Sequence, residues 1–150
     1  MTLRSDWLNS NPEFSLNIPI KPRYISPHPY TNRDIIGLAR GPLVYCLEDV
    51  DNPWVDDHFK SLVLDPTCSI NESAGLEGEM REPYVALTAH NAAYFLGTHE
   101  NQGPHLPVGS IDEEKRANVQ NLSFIPYALR DNRGGKGHMR VGIRRKRYSL

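Results

Sequence analysis

The chain has 150 residues, long enough for one domain with a hydrophobic core that needs no disulfide or metal staple. A formal net charge of −1 supplies no field that would steer it to nucleic acid or to an anionic membrane. No apolar run approaches the length of a membrane span or of a signal-peptide core, so a cytoplasmic location is the default expectation.

Twelve prolines and 11 glycines beside 39% hydrophobic residues describe a turn-rich, strand-rich chain. Residues 1–13 read as an N-terminal extension. Phe14, Leu16, Ile18 and Ile20 then alternate with Ser15, Asn17 and Pro19, which predicts a half-buried strand. Pro19 has no N–H to give to a ladder and places that strand at an edge or a bulge. Residues 22–33 are a proline-punctuated extended connection, and residues 34–39 form a second strand that ends at the turn Arg40-Gly41-Pro42. Leu43, Tyr45 and Leu47 alternate with Val44 and Cys46, so the strand over residues 43–48 is apolar on both faces and must be covered on both. It runs into an acidic turn, Asp51-Asn52-Pro53, after which residues 54–60 predict one helical turn.

Further strands are expected over residues 61–64, 69–72, 84–89 and 92–97, the last two joined as a hairpin by His90-Asn91. Residues 98–118, polar and rich in Gly and Pro, predict a long loop. A strand around Leu122, Phe124 and Ile125 is broken by Pro126; residues 132–137 are a glycine turn, and Met139, Val141 and Ile143 mark a last strand. Residues 144–150 read as a basic tail. This pattern predicts an all-β fold, a two-sheet antiparallel β-sandwich of jelly-roll type forming a single domain over 1–150.

Candidate chemistry is sparse. Cys46 and Cys68 make no CxxC pair, and four zinc ligands at tetrahedral-site spacings are absent. Cys46 reads as a small buried apolar residue, with a Cys46–Cys68 disulfide as an alternative. Glu48, Asp49, Asp51, Asp56 and Asp57 could supply a glycosidase carboxylate pair or a calcium site. Lys60 stands where an EF-hand needs its bidentate Glu, and solvated Asx-capped turns account for the cluster more simply. Glu48 is expected to pair with an arginine such as Arg40 or Arg133. The six histidines show no HxxxH or HExxH spacing. Trp54, Tyr30, Tyr94 and Trp7 could stack on sugar rings, with Trp54 and His58 as the sugar contacts of choice, although aromatics in a small sandwich more often anchor a core. Asn71-Glu72-Ser73 and Asn121-Leu122-Ser123 match the glycosylation sequon, which matters only in a secreted chain.

The run Arg40-Gly41-Pro42-Leu43-Val44-Tyr45-Cys46-Leu47-Glu48, followed by Asp51-Asn52, resembles the signature of glycoside hydrolase family 127, the β-L-arabinofuranosidase-like family. Pro126-Tyr127, Asn132-Arg133-Gly134 and Met139-Arg140-Val141 resemble the family's closing pattern, and residues 28–34 and 52–61 resemble its fungal branch. The blocks follow in order over nearly the whole chain. The resemblance implies the C-terminal β-sandwich of a longer enzyme whose helical barrel carries a cysteine nucleophile, a zinc held by cysteines and a glutamate, and a separate acid/base glutamate. No stretch here matches those elements, so it implies no catalytic residue, no metal ligand and no cofactor in this chain, with zinc confined to the barrel. The signature residues, Arg40, Gly41, Pro42, Tyr45, Cys46, Glu48, Asp51, Asn52, Pro126, Tyr127, Asn132, Arg133 and Gly134, are then structural. The expected partners are the catalytic barrel or another subunit, a second copy of the chain, or an arabinose-containing glycan held by a carbohydrate-binding module; the chain is either a separated C-terminal piece or a small descendant without the barrel.

Overall fold

A computed structural model describes residues 4–10, 13, 15–31, 33–55, 57–75, 83–95, 115–116, 120–131 and 133–146, with backbone alone at 7, 8, 115 and 116. Within them the chain is mostly β. A six-residue helix, α1 (Ser5–Ser10), precedes eleven strands: β1 (Pro22–Ile25), β2 (Ile35–Arg40), β3 (Leu43–Glu48), β4 (Leu62–Leu64), β5 (Ile70–Ala74), β6 (Val85–Ala89), β7 (Ala93–Phe95), β8 (Lys115–Arg116), β9 (Leu122–Pro126), β10 (Met139–Arg140) and β11 (Ile143–Arg145). Hydrogen bonds link them in the order β5-β6-β9-β3-β2-β11-β4-β7-β8, with β1 added to β2 and β10 to β3.

The pairing is antiparallel except between β11 and β4, which run parallel, so the arrangement is mixed where the sequence predicted antiparallel strands throughout. Strand β2 is the junction. Its first residues, Ile35 and Ile36, pair with β11, while Leu38, Ala39 and Arg40 pair with β3. The segment from β10 to β11 changes partners in the same way, leaving β3 for β2 and β4 across Gly142.

The core follows the two-residue period. Leu38, Tyr45, Leu47, Leu87 and Phe124 come together with Leu62, Leu64 and Ile143 in one buried cluster, which Val55 and Phe59 complete. Ala39, Cys46, Val63 and Ile125, the alternate residues, are also buried but lie outside that cluster. Strand β3 is internal, flanked by β2 and β9, as its two-faced apolar pattern requires. Its coverage is uneven: residues 45–48 are buried, whereas Leu43 and Val44 remain exposed.

Four local expectations are corrected. Among the described residues, 15–20 pair with no strand, and Leu16, Ile18 and Ile20 are exposed; the alternation is present, but no described ladder receives it. The connection over 22–33 contains β1, whose Pro22 opens an edge strand where a missing N–H costs nothing. Residues 54–60 form no helical turn, because His58 and Phe59 adopt φ of 56° and 60° to swing Phe59 into the core. The carboxylate of Asp57 holds that bend by accepting from the N–H groups of Lys60 and Ser61 at 3.2 and 2.8 Å. His90-Asn91 closes no hairpin: β6 pairs with β5 and β9, β7 with β4 and β8, and the turn with Asn91 at φ 51° carries the chain from one ladder to the other. Alternation and turn residues are the same for a hairpin and for such a crossing, so local sequence cannot separate them.

Most of the loop expected over 98–118 lies outside the described residues, apart from β8. The basic stretch from Arg144 begins within β11 and not in a free tail. The Lys146 ammonium sits 3.7 Å from the Tyr94 ring centroid and 3.3 Å from the Asp65 carboxylate, and its backbone N–H reaches Leu64.

Candidate functional site

The signature residues converge on the two ends of β3. Gly41 and Pro42 form the two-residue loop between β2 and β3, where Arg40 faces Leu43. Gly41 has φ +55°, the left-handed value that a tight hairpin of this length demands at its first central position. A Cβ there would also stand 2.9 Å from the Ile20 side chain, so glycine is needed for space as well as for conformation. Arg40 turns away from Glu48 and pairs with Glu72 at 2.8 Å.

At the other end, Asn52 is fully buried. Its Nδ2 donates to the carbonyls of Glu48 (2.9 Å) and Ser123 (3.0 Å), and its Oδ1 accepts from the Ser123 N–H (3.0 Å). One side-chain amide thus replaces the missing strand neighbour of Ser123 and extends the β3–β9 ladder by a rung. Buried backbone groups require such partners.

Glu48 pairs with Arg133, one of the two arginines that the sequence offered it. The Arg133 guanidinium meets Glu48 Oε2 at 2.9 Å and Asp51 Oδ1 at 2.8 Å, with a further bond to Asp51 Oδ2. The other Glu48 oxygen accepts from the Asp131 N–H at 2.6 Å. Arg133 and Glu48 side chains are each only 7% exposed, so this bidentate cluster ties the turn after β3 to the turn after β9 out of reach of solvent screening. Asp49 does the neighbouring job, accepting from the Lys136 N–H at 2.6 Å. Asp131, with φ 60°, was not singled out from sequence; the signal was an Asp opening a glycine-rich turn, a residue type that tolerates the left-handed region. Gly134 has open space around its Cα, Asn132 and Asp56 lie outside the described residues, and Pro126 ends β9 opposite Tyr45.

This corner is not arranged for acid–base or nucleophilic chemistry. Every carboxylate oxygen of Glu48 and Asp51 is engaged by Arg133 or Asp131. Burial, with the charge of Glu48 adding to it, pushes the Cys46 thiol up to about 12, whereas a nucleophilic cysteine needs its pKa lowered. No disulfide joins Cys46 and Cys68. Among the described residues no three His, Cys, Asp or Glu side chains are grouped to hold a metal ion.

The two sugar-contact candidates are occupied by protein. Trp54 packs on the core and meets Phe95 edge-on, ring centroids 5.8 Å apart. His58 stacks on His138, a partner that the sequence did not suggest, at 3.4 Å between centroids. Tyr94 lies under Lys146, Tyr30 is exposed, and the Trp7 side chain lies outside the described residues.

Open apolar surface gathers instead at the hairpin end of β3. One cleft, of about 440 Å³, is lined by Arg40, Leu43, Tyr45, Tyr84 and Val85. Tyr45 forms its floor and donates its hydroxyl proton to the Val85 carbonyl at 2.9 Å, and burial raises that hydroxyl's pKa. A shallower groove of about 500 Å³ is lined by Val44, Tyr127, Met139, Arg140 and Val141.

Residues 22–144 match the model of the glycoside hydrolase family 127 C-terminal domain. This chain belongs to that family. Its fold is similar to part of Ara127N, a GH127 β-L-arabinofuranosidase from Geobacillus stearothermophilus T6, at 28% identity and a TM-score of 0.64 over 85% of this chain and 19% of that one. A glycoside hydrolase aligns at 24% identity and TM-score 0.64, over 86% of this chain and 20% of its own length. The GH127 β-arabinofuranosidase BT3674 aligns at 22% identity and TM-score 0.58, over 85% and 18%. The family-127 chain therefore spans about a fifth of the length of the solved relatives it matches. No curated protein matches it.

Proposed function

We propose that this chain is a non-catalytic accessory domain, a two-sheet β-sandwich of jelly-roll type that packs on the catalytic barrel of a family-127 hydrolase or on another subunit. The observation that carries this reading is the match to a C-terminal domain that makes up only a fifth of each solved relative. Two features of the site support it. The carboxylates of the signature serve as counter-ions to Arg133, and the Cys46 thiol is buried and held protonated. The domain contributes packing surface and uses no cofactor of its own; zinc and the reacting groups belong to the barrel.

The test is direct. Purified chain incubated with a chromogenic arabinofuranoside is expected to release no chromophore above a protein-free blank. Turnover that disappears in Glu48→Gln would overturn the reading. Titration with arabino-oligosaccharides is expected to give no heat, because Trp54 faces Phe95 and the core; saturable heat would replace the accessory role with that of a carbohydrate-binding module.

A further inference from the structure

Resting on the accessory-domain reading, we propose that the hairpin end of β3 is the docking face, and that it seats an apolar protein surface rimmed by carboxylates on the remainder of a family-127 polypeptide. Leu43 and Val44 are apolar, exposed and adjacent in a strand that is otherwise buried. They open in opposite directions, Leu43 into the cleft over Tyr45 and Val44 into the groove beside Tyr127 and Val141. Ile20, also exposed, lies against Gly41 at the tip of the same hairpin. Apolar side chains exposed on both faces of one hairpin end mark an interaction site that a partner can straddle.

The chemistry of the partner follows from the charges. Among the described residues, the only charged side chain lining the cleft is Arg40, and the only one lining the groove is Arg140. Arg130 lies over the Tyr127 ring, 4.2 Å from its centroid, and Arg23 donates to the Gly41 carbonyl at 2.7 Å. Arg40 is neutralised by Glu72, but Arg23, Arg130 and Arg140 make no ion pair among the described residues. Each is nonetheless oriented by a carbonyl or a ring: Arg130 by Tyr127 and Arg140 by the Gly142 oxygen, 2.9 Å from its Nε. The carboxylates of Glu48, Asp51 and Asp65 are consumed within the fold, at Arg133 and Lys146. A pre-oriented arginine rim around tyrosine and valine matches the composition of protein interfaces and calls for carboxylates opposite.

The experiment uses the full 150-residue chain and, as probe, the Geobacillus enzyme truncated ahead of its matched C-terminal fifth, with affinity measured by titration calorimetry at low and high salt. The wild-type chain is expected to bind. The double reversal R130E/R140E should weaken binding at least about tenfold, with the loss shrinking at high salt. Val44→Asn should weaken it with no change in salt dependence. R144E/R145E, which reverses two exposed arginines on β11, should leave affinity unchanged, and circular dichroism should show all variants folded. If the wild-type chain does not bind, the accessory reading falls and this inference with it. If the wild-type chain binds and R130E/R140E binds as tightly, or R144E/R145E loses as much, the docking face is wrong while the accessory reading stands.

Discussion

The two ends of β3 follow opposite rules, although six consecutive residues connect them. At the Glu48 end the polar groups close on one another: Asn52 completes the ladder beside Ser123, and Arg133 meets both Glu48 and Asp51. At the Leu43 end apolar side chains stand in water; Arg40 there is paired with Glu72, while Arg23 and Arg140 make no ion pair among the described residues. The contrast teaches where stability and association reside. A closed polar cluster is costly to disturb and offers nothing to a partner, whereas an open apolar end contributes little to folding and is available for contact.

Substitutions that break the closed end should have the largest effects. Arg133→Met leaves Glu48 and Asp51 without their counter-ion in a site only 7% exposed at Glu48, and is expected to destabilise the domain by about 3–5 kcal/mol, read from urea unfolding. If the loss is under about 1 kcal/mol, the cluster is a surface ion pair in effect and the contrast between the ends fails. Asn52→Ala removes three hydrogen bonds and strands the Ser123 backbone, for an expected loss of about 2–3 kcal/mol by the same measurement.

Cys46 provides a pH test of burial at the middle of the strand. Its thiol is raised from 9.0 to about 12, so the folded state holds the proton that the unfolded state gives up. The resulting stability is fully present below pH 9 and is lost as pH climbs toward 12. At one pH unit above the unfolded pKa the loss is expected to be about 1 kcal/mol, and Cys46→Ala should flatten that alkaline limb. Iodoacetamide should label Cys46 only after unfolding; labelling of the native chain at mildly alkaline pH would refute its protection. The smallest effect belongs to the open end. Val44→Asn should shift stability by no more than about 0.5 kcal/mol in the isolated chain, since it removes a half-exposed contact.

Much of the fold was legible in residues 34–48. The alternation and the Arg40-Gly41-Pro42 turn placed β2 and β3 within a residue of their positions, because a two-faced apolar strand beside a tight turn has one stable reading. That Glu48 pairs with an arginine was also legible, since a carboxylate at the end of a buried strand must find a cation, but the choice of Arg133 over Arg40 was left to the tertiary structure. The exposed alternation of Leu16, Ile18 and Ile20 could not be foreseen, because period two reports a strand's faces and not whether a neighbouring ladder exists to bury one. The bend at His58 and Phe59 was hidden for a related reason: only the position of the core explains why two non-glycine residues take left-handed φ. For Trp54 the sequence left open a sugar platform or a core anchor, and its contact with Phe95 lies forty-one positions away, beyond the reach of a local pattern.

The sequence by itself determined the class of structure, the family and the absence of the family's catalytic pattern, because period, turn chemistry and motif order are properties of neighbouring residues. Tertiary structure decided the partners. It carried β2 from one ladder to the next, set β11 parallel to β4, turned a supposed hairpin into a crossing, and left Leu43 and Val44 exposed. Those outcomes depend on contacts between residues tens of positions apart, whose energies no local pattern encodes.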